Sequence, residues 1–173
     1  MDIKERARKQ LNGLERVLHR VPGFRGYYER ELRRDSDRLQ REFIVQRLRG
    51  VKSGMNKALQ AAARAKDFDW LRECDQFVRG LDKAIATLRY ADGGYSGFFD
   101  LVKVREAELD QVYEQDALLA EAAGSFAAAF KKQATDALDA TALSALREAL
   151  AQIEELFEKR TALLKGLAKG GRS

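Results

Sequence analysis

The chain has 173 residues, of which 34% are charged, with one proline, one cysteine and a formal net charge of +5. That length suits one domain with a real core and is short for two. The single cysteine, Cys74, excludes an intrachain disulfide, and no apolar run approaches the roughly 20 residues of a membrane span.

Ala, Leu, Glu, Arg, Lys and Gln dominate, and these residues lose least on entering a helix. No stretch alternates apolar and polar over a strand length. The expected fold is therefore all-α, an elongated antiparallel bundle or set of coiled-coil hairpins of about five helices. A single domain over 1–168 with a disordered tail at 169–173 is the expected organisation. The lone thiol fits a reducing compartment, and the N-terminal charges lead into no hydrophobic signal region, so a cytoplasmic location is expected. The charge is unevenly spread. Residues 1–66 carry 18 Lys/Arg against 8 Asp/Glu, and residues 67–173 carry 14 against 19.

The first helix is expected from about Asp2 to Arg20, with Asp2 as cap and Leu11, Leu14 and Leu18 as its stripe. Pro22, Gly23 and Gly26 break it. A second, long helix runs from near Tyr27 to about Ala65, with a seam of Ile44, Leu48, Val51, Met55, Leu59 and Ala62. Gly50 and Gly54 inside it either kink it or admit a neighbouring helix closely. Asp67 caps a third helix that reaches about Ala91 along Leu71, Cys74, Val78, Leu81, Ile85 and Leu88. The fourth, from Phe98–Leu101 to about Gln133, has the seam Leu109, Val112, Asp116, Leu119, Ala123, Phe126 and Phe130. The fifth opens at Thr135 or Asp136 with the seam Leu143, Leu146, Leu150, Ile153, Phe157, Leu164 and Leu167. Asp116 and Arg160 are charges placed on otherwise apolar seams. The last two helices should form an antiparallel hairpin. Residues 106–158 hold 12 acids against 3 bases, so that hairpin should dock on the basic N-terminal half, within the chain or in a homodimer.

Two segments break the pattern. Residues 27–42 are charged all round, with Leu32 and Leu39 as the only aliphatics. The pairs Glu29–Arg33, Glu31–Arg34 and Asp37–Arg41 leave two readings open, a solvated self-paired helix or a buried ionic contact. The second segment, residues 88–100, places three glycines, two tyrosines and two phenylalanines between helices. It reads as an aromatic plug closing the bundle or as a ligand or partner site. Its glycines match neither a dinucleotide fingerprint nor a P-loop.

The charged segment at 26–39 (GYYERELRRDSDRL) and the loop at 89–100 (RYADGGYSGFFD) resemble an uncharacterised prokaryotic helical family associated with SPFH (band-7) membrane-scaffold proteins. The similarity spans roughly residues 14–120. It implies that the charged helix and the aromatic loop form one unit, with Arg33, Arg34 or Arg38 pairing with Asp92 or Asp100. It also implies peripheral association with a membrane-scaffold protein. The candidate structural or partner site is therefore Arg33, Arg34, Arg38, Arg89, Tyr90, Asp92, Tyr95, Phe98, Phe99 and Asp100.

The lone histidine, His19, sits beside Arg20 and no second histidine exists to build a metal site. Ser96 has no nearby base to activate it. No catalytic residues, metal or cofactor are expected. The leading expectation is a non-enzymatic interaction protein, an adaptor or scaffold component that binds protein partners or itself. The alternative is a nucleic-acid or anionic-surface binder using Lys4, Arg6, Arg8, Lys9, Arg16 and Arg20.

Overall fold

The computed structural model describes residues 13–135 and 138–170. Those residues form five α-helices and no strand: α1 Gly13–Arg20, α2 Arg30–Ala65, α3 Phe68–Arg89, α4 Glu106–Thr135 and α5 Ala140–Gly170. Two short 3-10 turns, Ala91–Gly94 and Ser96–Phe98, carry the chain from α3 towards α4. Asp2, Leu11 and the basic residues Lys4, Arg6, Arg8 and Lys9 lie outside the described residues. α5 continues through Lys169 to Gly170, so the tail expected to begin at 169 is helical that far.

Helices α2 and α3 form one antiparallel hairpin, and α4 and α5 form a second. The sharp turn between α2 and α3 rests on Lys66 at φ 56° and on the Asp67 carboxylate, which accepts from the backbone N–H of Trp70 at 3.0 Å. α5 opens at Ala140 rather than at 135–136. Its cap is Asp139, which accepts from the Ala142 N–H at 2.7 Å. The hairpins lie side by side, α2 on α4 and α3 on α5. Gln40 meets Asp116 and Gly54 meets Phe130, so α2 and α4 run parallel. At about 1.5 Å per residue, the 36 residues of α2 reach roughly 54 Å.

The seams of α4 and α5 are buried as their spacing requires, except that Leu167 is half-buried. In α3 the deeper position belongs to Phe77, and Val78 is half-buried. Cys74 is fully enclosed, and burial pushes its thiol up. Gly54 admits the Phe130 ring closely, whereas Gly50 faces open space. α1 packs on α4 at Gly13, where an added Cβ would lie 2.5 Å from the Glu114 nitrogen. Arg16 pairs with Glu114 and Glu121 at 2.9 Å each, and Arg20 with Glu121 at 3.4 Å. Basic α1 and acidic α4 thus meet within one chain.

Three further boundaries differ from the sequence reading. α2 starts at Arg30 because residues 27–29 bend so that Tyr27 can turn inward. α3 stops at Arg89. α4 starts at Glu106, because Phe98, Phe99 and Leu101 are spent on packing under the bundle rather than on a helix. The Glu108 carboxylate accepts from the Arg105 N–H at 3.1 Å at that start.

Candidate functional site

Two apolar clusters fill the bundle. One is built around Ile44, Leu48, Met55, Leu81, Phe126 and Phe157, the other around Tyr27, Phe98, Val112, Tyr113 and Leu164. Between them lies a layer of polar side chains. Its origin is the charged stretch of α2. Carried backwards from Ile44 at spacings of three and four, the buried stripe reaches Arg41, Gln40, Asp37, Ser36 and Arg33, all buried. The helical period is unbroken, and only the chemistry changes. Both readings of this segment hold in part. Asp37 and Arg41 form the buried ionic contact, and Asp35 and Arg38 pair on the surface. The Glu29–Arg33 and Glu31–Arg34 pairs are not formed among the described residues, because Arg33 turns inward and Arg34 pairs with Asp100.

Arg160 from α5 is the hub of the layer. It is wholly enclosed and donates through Nε to Asp116. Its Nη2 donates to Asp37 at 2.8 Å and to the Tyr27 hydroxyl at 2.9 Å, and its Nη1 to the Tyr95 hydroxyl at 3.2 Å. The Tyr27 hydroxyl donates to the other Asp116 oxygen at 2.5 Å, and the Tyr95 hydroxyl to Asp37 at 2.8 Å. Arg41 completes the set, donating to Asp37 at 2.9 Å and to the carbonyls of Leu88 and Arg89 at 3.0 Å each. Two carboxylates face two guanidinium groups, so the layer is formally neutral.

Burial opposes the charge on Arg160, but Asp116, Tyr27, Asp37 and Tyr95 outweigh it and hold its proton more tightly than usual. Burial also pushes the Asp116 carboxyl above its ordinary value, against the pull of Arg160 and Tyr27. The two shifts oppose each other over which form the pair favours. The two donors that the Asp116 carboxylate accepts from, Arg160 Nε and the Tyr27 hydroxyl, settle it for the ion pair. Chemically the layer fixes the register of α2, α4 and α5. The atoms around Arg160 and Asp116 are wholly enclosed, and of this set Arg41 alone reaches the surface.

The aromatic loop sits directly below. Tyr95, Phe98 and Phe99 are buried, and Tyr27 packs edge-on to Phe98 and stacks on Tyr113 at 5.5 Å. Arg33 is 1% exposed and, among the described residues, has no carboxylate partner. It donates instead to the carbonyls of Tyr27 at 2.7 Å, Leu101 at 2.6 Å and Phe98 at 3.4 Å. Burial lowers its affinity for its proton. Ser36 closes the 21–26 turn by donating to the Gly26 carbonyl at 2.9 Å, where Gly26 has φ 93°.

The remaining candidate residues divide. Arg34 pairs with Asp100 at 3.3 Å on the surface and stacks over Phe99. Asp92 approaches Arg41 at 3.8 Å with its own side chain largely exposed. Arg38 pairs with Asp35, not with Asp92 or Asp100. Arg89 offers its carbonyl to Arg41 while its side chain is exposed, and Tyr90, 77% exposed, stands outside the plug. Sequence reasoning left out Tyr27, Ser36, Gln40 and Tyr113, which the structure places at the centre. The backward continuation of the α2 stripe was the signal for Ser36 and Gln40.

The surface carries an open groove where the hairpin tips meet. Ala58, Ala61, Ala62, Trp70, Phe130 and Leu138 line a 420 Å³ hollow, which shares Gly54, Lys57 and Phe130 with a 540 Å³ hollow between α2 and α4. Arg47, Lys57 and Lys131 stand among the lining residues. Phe68, 72% exposed, lies at the adjoining turn. Among the described residues no group of three or more His, Cys, Asp or Glu is placed to hold a metal. Comparison with protein-family models, with curated proteins and with solved structures yields no match.

Proposed function

We propose that this chain is a non-enzymatic helical interaction protein, an adaptor or scaffold component, that takes an acidic amphipathic helix of a protein partner into the groove between α2 and α4. The groove carries the reading: its floor is Ala, Trp and Phe, and three basic side chains flank it against one carboxylate, Asp67, which is held by the Trp70 N–H. A partner helix with an apolar face and an acidic flank matches both features. The charged groups around Arg160 are spent on one another and on the Tyr27 and Tyr95 hydroxyls, which suits a structural task. The resemblance to the SPFH-associated family suggests the class of partner, a membrane-scaffold protein. No helix among the described residues is long and apolar enough to cross a membrane, so contact with a membrane through such a partner would be peripheral.

Trp70 lines the groove and is the only tryptophan, so its fluorescence reports occupancy directly. A photocrosslinking residue at Ala61 in the native cell should capture one protein that the same residue at Arg72 does not. The captured segment, titrated into purified protein, should shift Trp70 emission, and Ala61→Glu should abolish the shift. Identical adducts at Ala61 and Arg72, or a captured segment that leaves Trp70 unchanged, would refute the reading.

A further inference from the structure

We propose a second, independent site: an anion pocket between α2 and the C-terminal end of α3 that binds a small phosphoryl compound carrying two or more negative charges. The pocket encloses 270 Å³ and is lined by Arg38, Arg41, Arg49 and Arg89, with Glu42 and Gln46 beside them. Arg38, Arg41 and Arg49 follow one face of α2, and Arg89 comes from the last turn of α3. Four cations line the pocket against one carboxylate. The other acids near it are Asp35 on Arg38 at 3.7 Å, Asp92 on Arg41 at 3.8 Å, and Asp37, enclosed behind Arg41. Among the described residues neither Arg49 nor Arg89 has an ion-pair partner.

Arg41 gives the pocket a built wall. Its Nε is held by Asp37 and its Nη1 by the carbonyls of Leu88 and Arg89. The side chain is 9% exposed and cannot swing away, yet its Nη2 has only the distant Asp92 oxygen. A fixed fork with an unspent donor, ringed by three further guanidinium groups, suits tetrahedral oxyanions, which accept two parallel N–H bonds from one arginine. The limited volume favours a compact ligand of high charge density. The pocket opens beside the C-terminal end of α3, shares only Gln46 with the hollow between α2 and α4, and does not depend on the partner reading.

Inorganic pyrophosphate is the probe, titrated by calorimetry into the full chain at low ionic strength. Saturable binding with a dissociation constant of about 1 mM or tighter is expected. Arg49→Ala and Arg89→Ala should each weaken it about tenfold, as for loss of one charge-assisted contact. Both side chains are exposed, so both variants should keep the parent melting temperature. Arg72→Ala, an exposed arginine of α3 outside the pocket, should bind as the parent does. No saturable binding, or equal weakening by Arg72→Ala and Arg89→Ala, would overturn the proposal. So would tight binding of a short oligonucleotide with no response to pyrophosphate.

Discussion

Arg160→Met is the substitution that most directly tests the polar layer. Methionine fills similar length but removes the donors to Asp116, Asp37, Tyr27 and Tyr95. Asp37 keeps Arg41 at 2.9 Å, whereas Asp116 keeps only the Tyr27 hydroxyl, so the orphaned charge is Asp116. Breaking a buried pair from one side costs about 3–5 kcal/mol. For a chain of this size about 2–4 °C is lost per kcal/mol, so the melting temperature should fall by roughly 6–20 °C. The loss should also depend on pH. Arg160 is the main pull against burial at Asp116, so its loss lets that carboxyl rise further and favours its protonated form in the folded variant. Stability therefore rises as pH falls through the folded-state value, and the deficit should be smaller at about pH 4–5 than at pH 7. Replacing both partners, as in Asp116→Leu with Arg160→Met, removes the orphan and should recover most of the loss. Thermal unfolding followed by circular dichroism at both pH values reads all of this. A single variant within about 1 kcal/mol of the parent, or a deficit identical at both pH values, would refute a central role for the layer.

Glycine substitutions in α2 should have opposite signs. Gly50→Ala meets open space and should stabilise by about 0.5–1 kcal/mol. Gly54→Ala places its Cβ against the Phe130 ring, and about 1–3 kcal/mol of overpacking should exceed the helix-propensity gain; chemical denaturation midpoints decide it. Arg34→Ala removes an exposed pair and its stacking on Phe99, and should cost about 1 kcal/mol or less by the same measurement. The phenols of Tyr27, Tyr95 and Tyr113 are pushed up by burial. Their contribution is present below about pH 10 and is lost as pH rises beyond it, because the unfolded chain ionises first. Tyrosinate absorbance of the folded protein should omit all three until unfolding, and their titration ahead of it would contradict their burial.

The helices from α3 onward are legible because their apolar residues recur at three and four. That repeat also exposed Asp116 and Arg160 as charges on a seam. Their partnership was not legible, since 44 residues and a turn of unknown register separate them. The stripe on the first half of α2 was hidden for another reason. Arg33, Asp37, Gln40 and Arg41 keep the helical period, but period-reading weighs only apolar residues. Burial of Tyr95, Phe98 and Phe99 followed from their density in a glycine-rich loop, whereas nothing in that composition separates them from Tyr90, which points to solvent. The Asp92 and Asp100 pairings depended on side-chain direction at the start of α2. There Arg34 faces Asp100 while Arg33, one position earlier, faces inward.

Because Arg160 belongs to the last helix, the ribosome makes the negative members of the polar layer well before their positive hub. Between Asp116 and Arg160 lie 44 positions, about 2–9 s of elongation at roughly 5–20 residues per second. During that interval Asp37 already has Arg41 on its own helix, whereas Asp116 has the Tyr27 hydroxyl and water but no cation, and α2 and α4 cannot close over it without stranding a charge. Closure of α2 on α4 around Asp116 is therefore expected only once α5 arrives. A nascent chain stalled before residue 160 should remain open to chaperones and proteases.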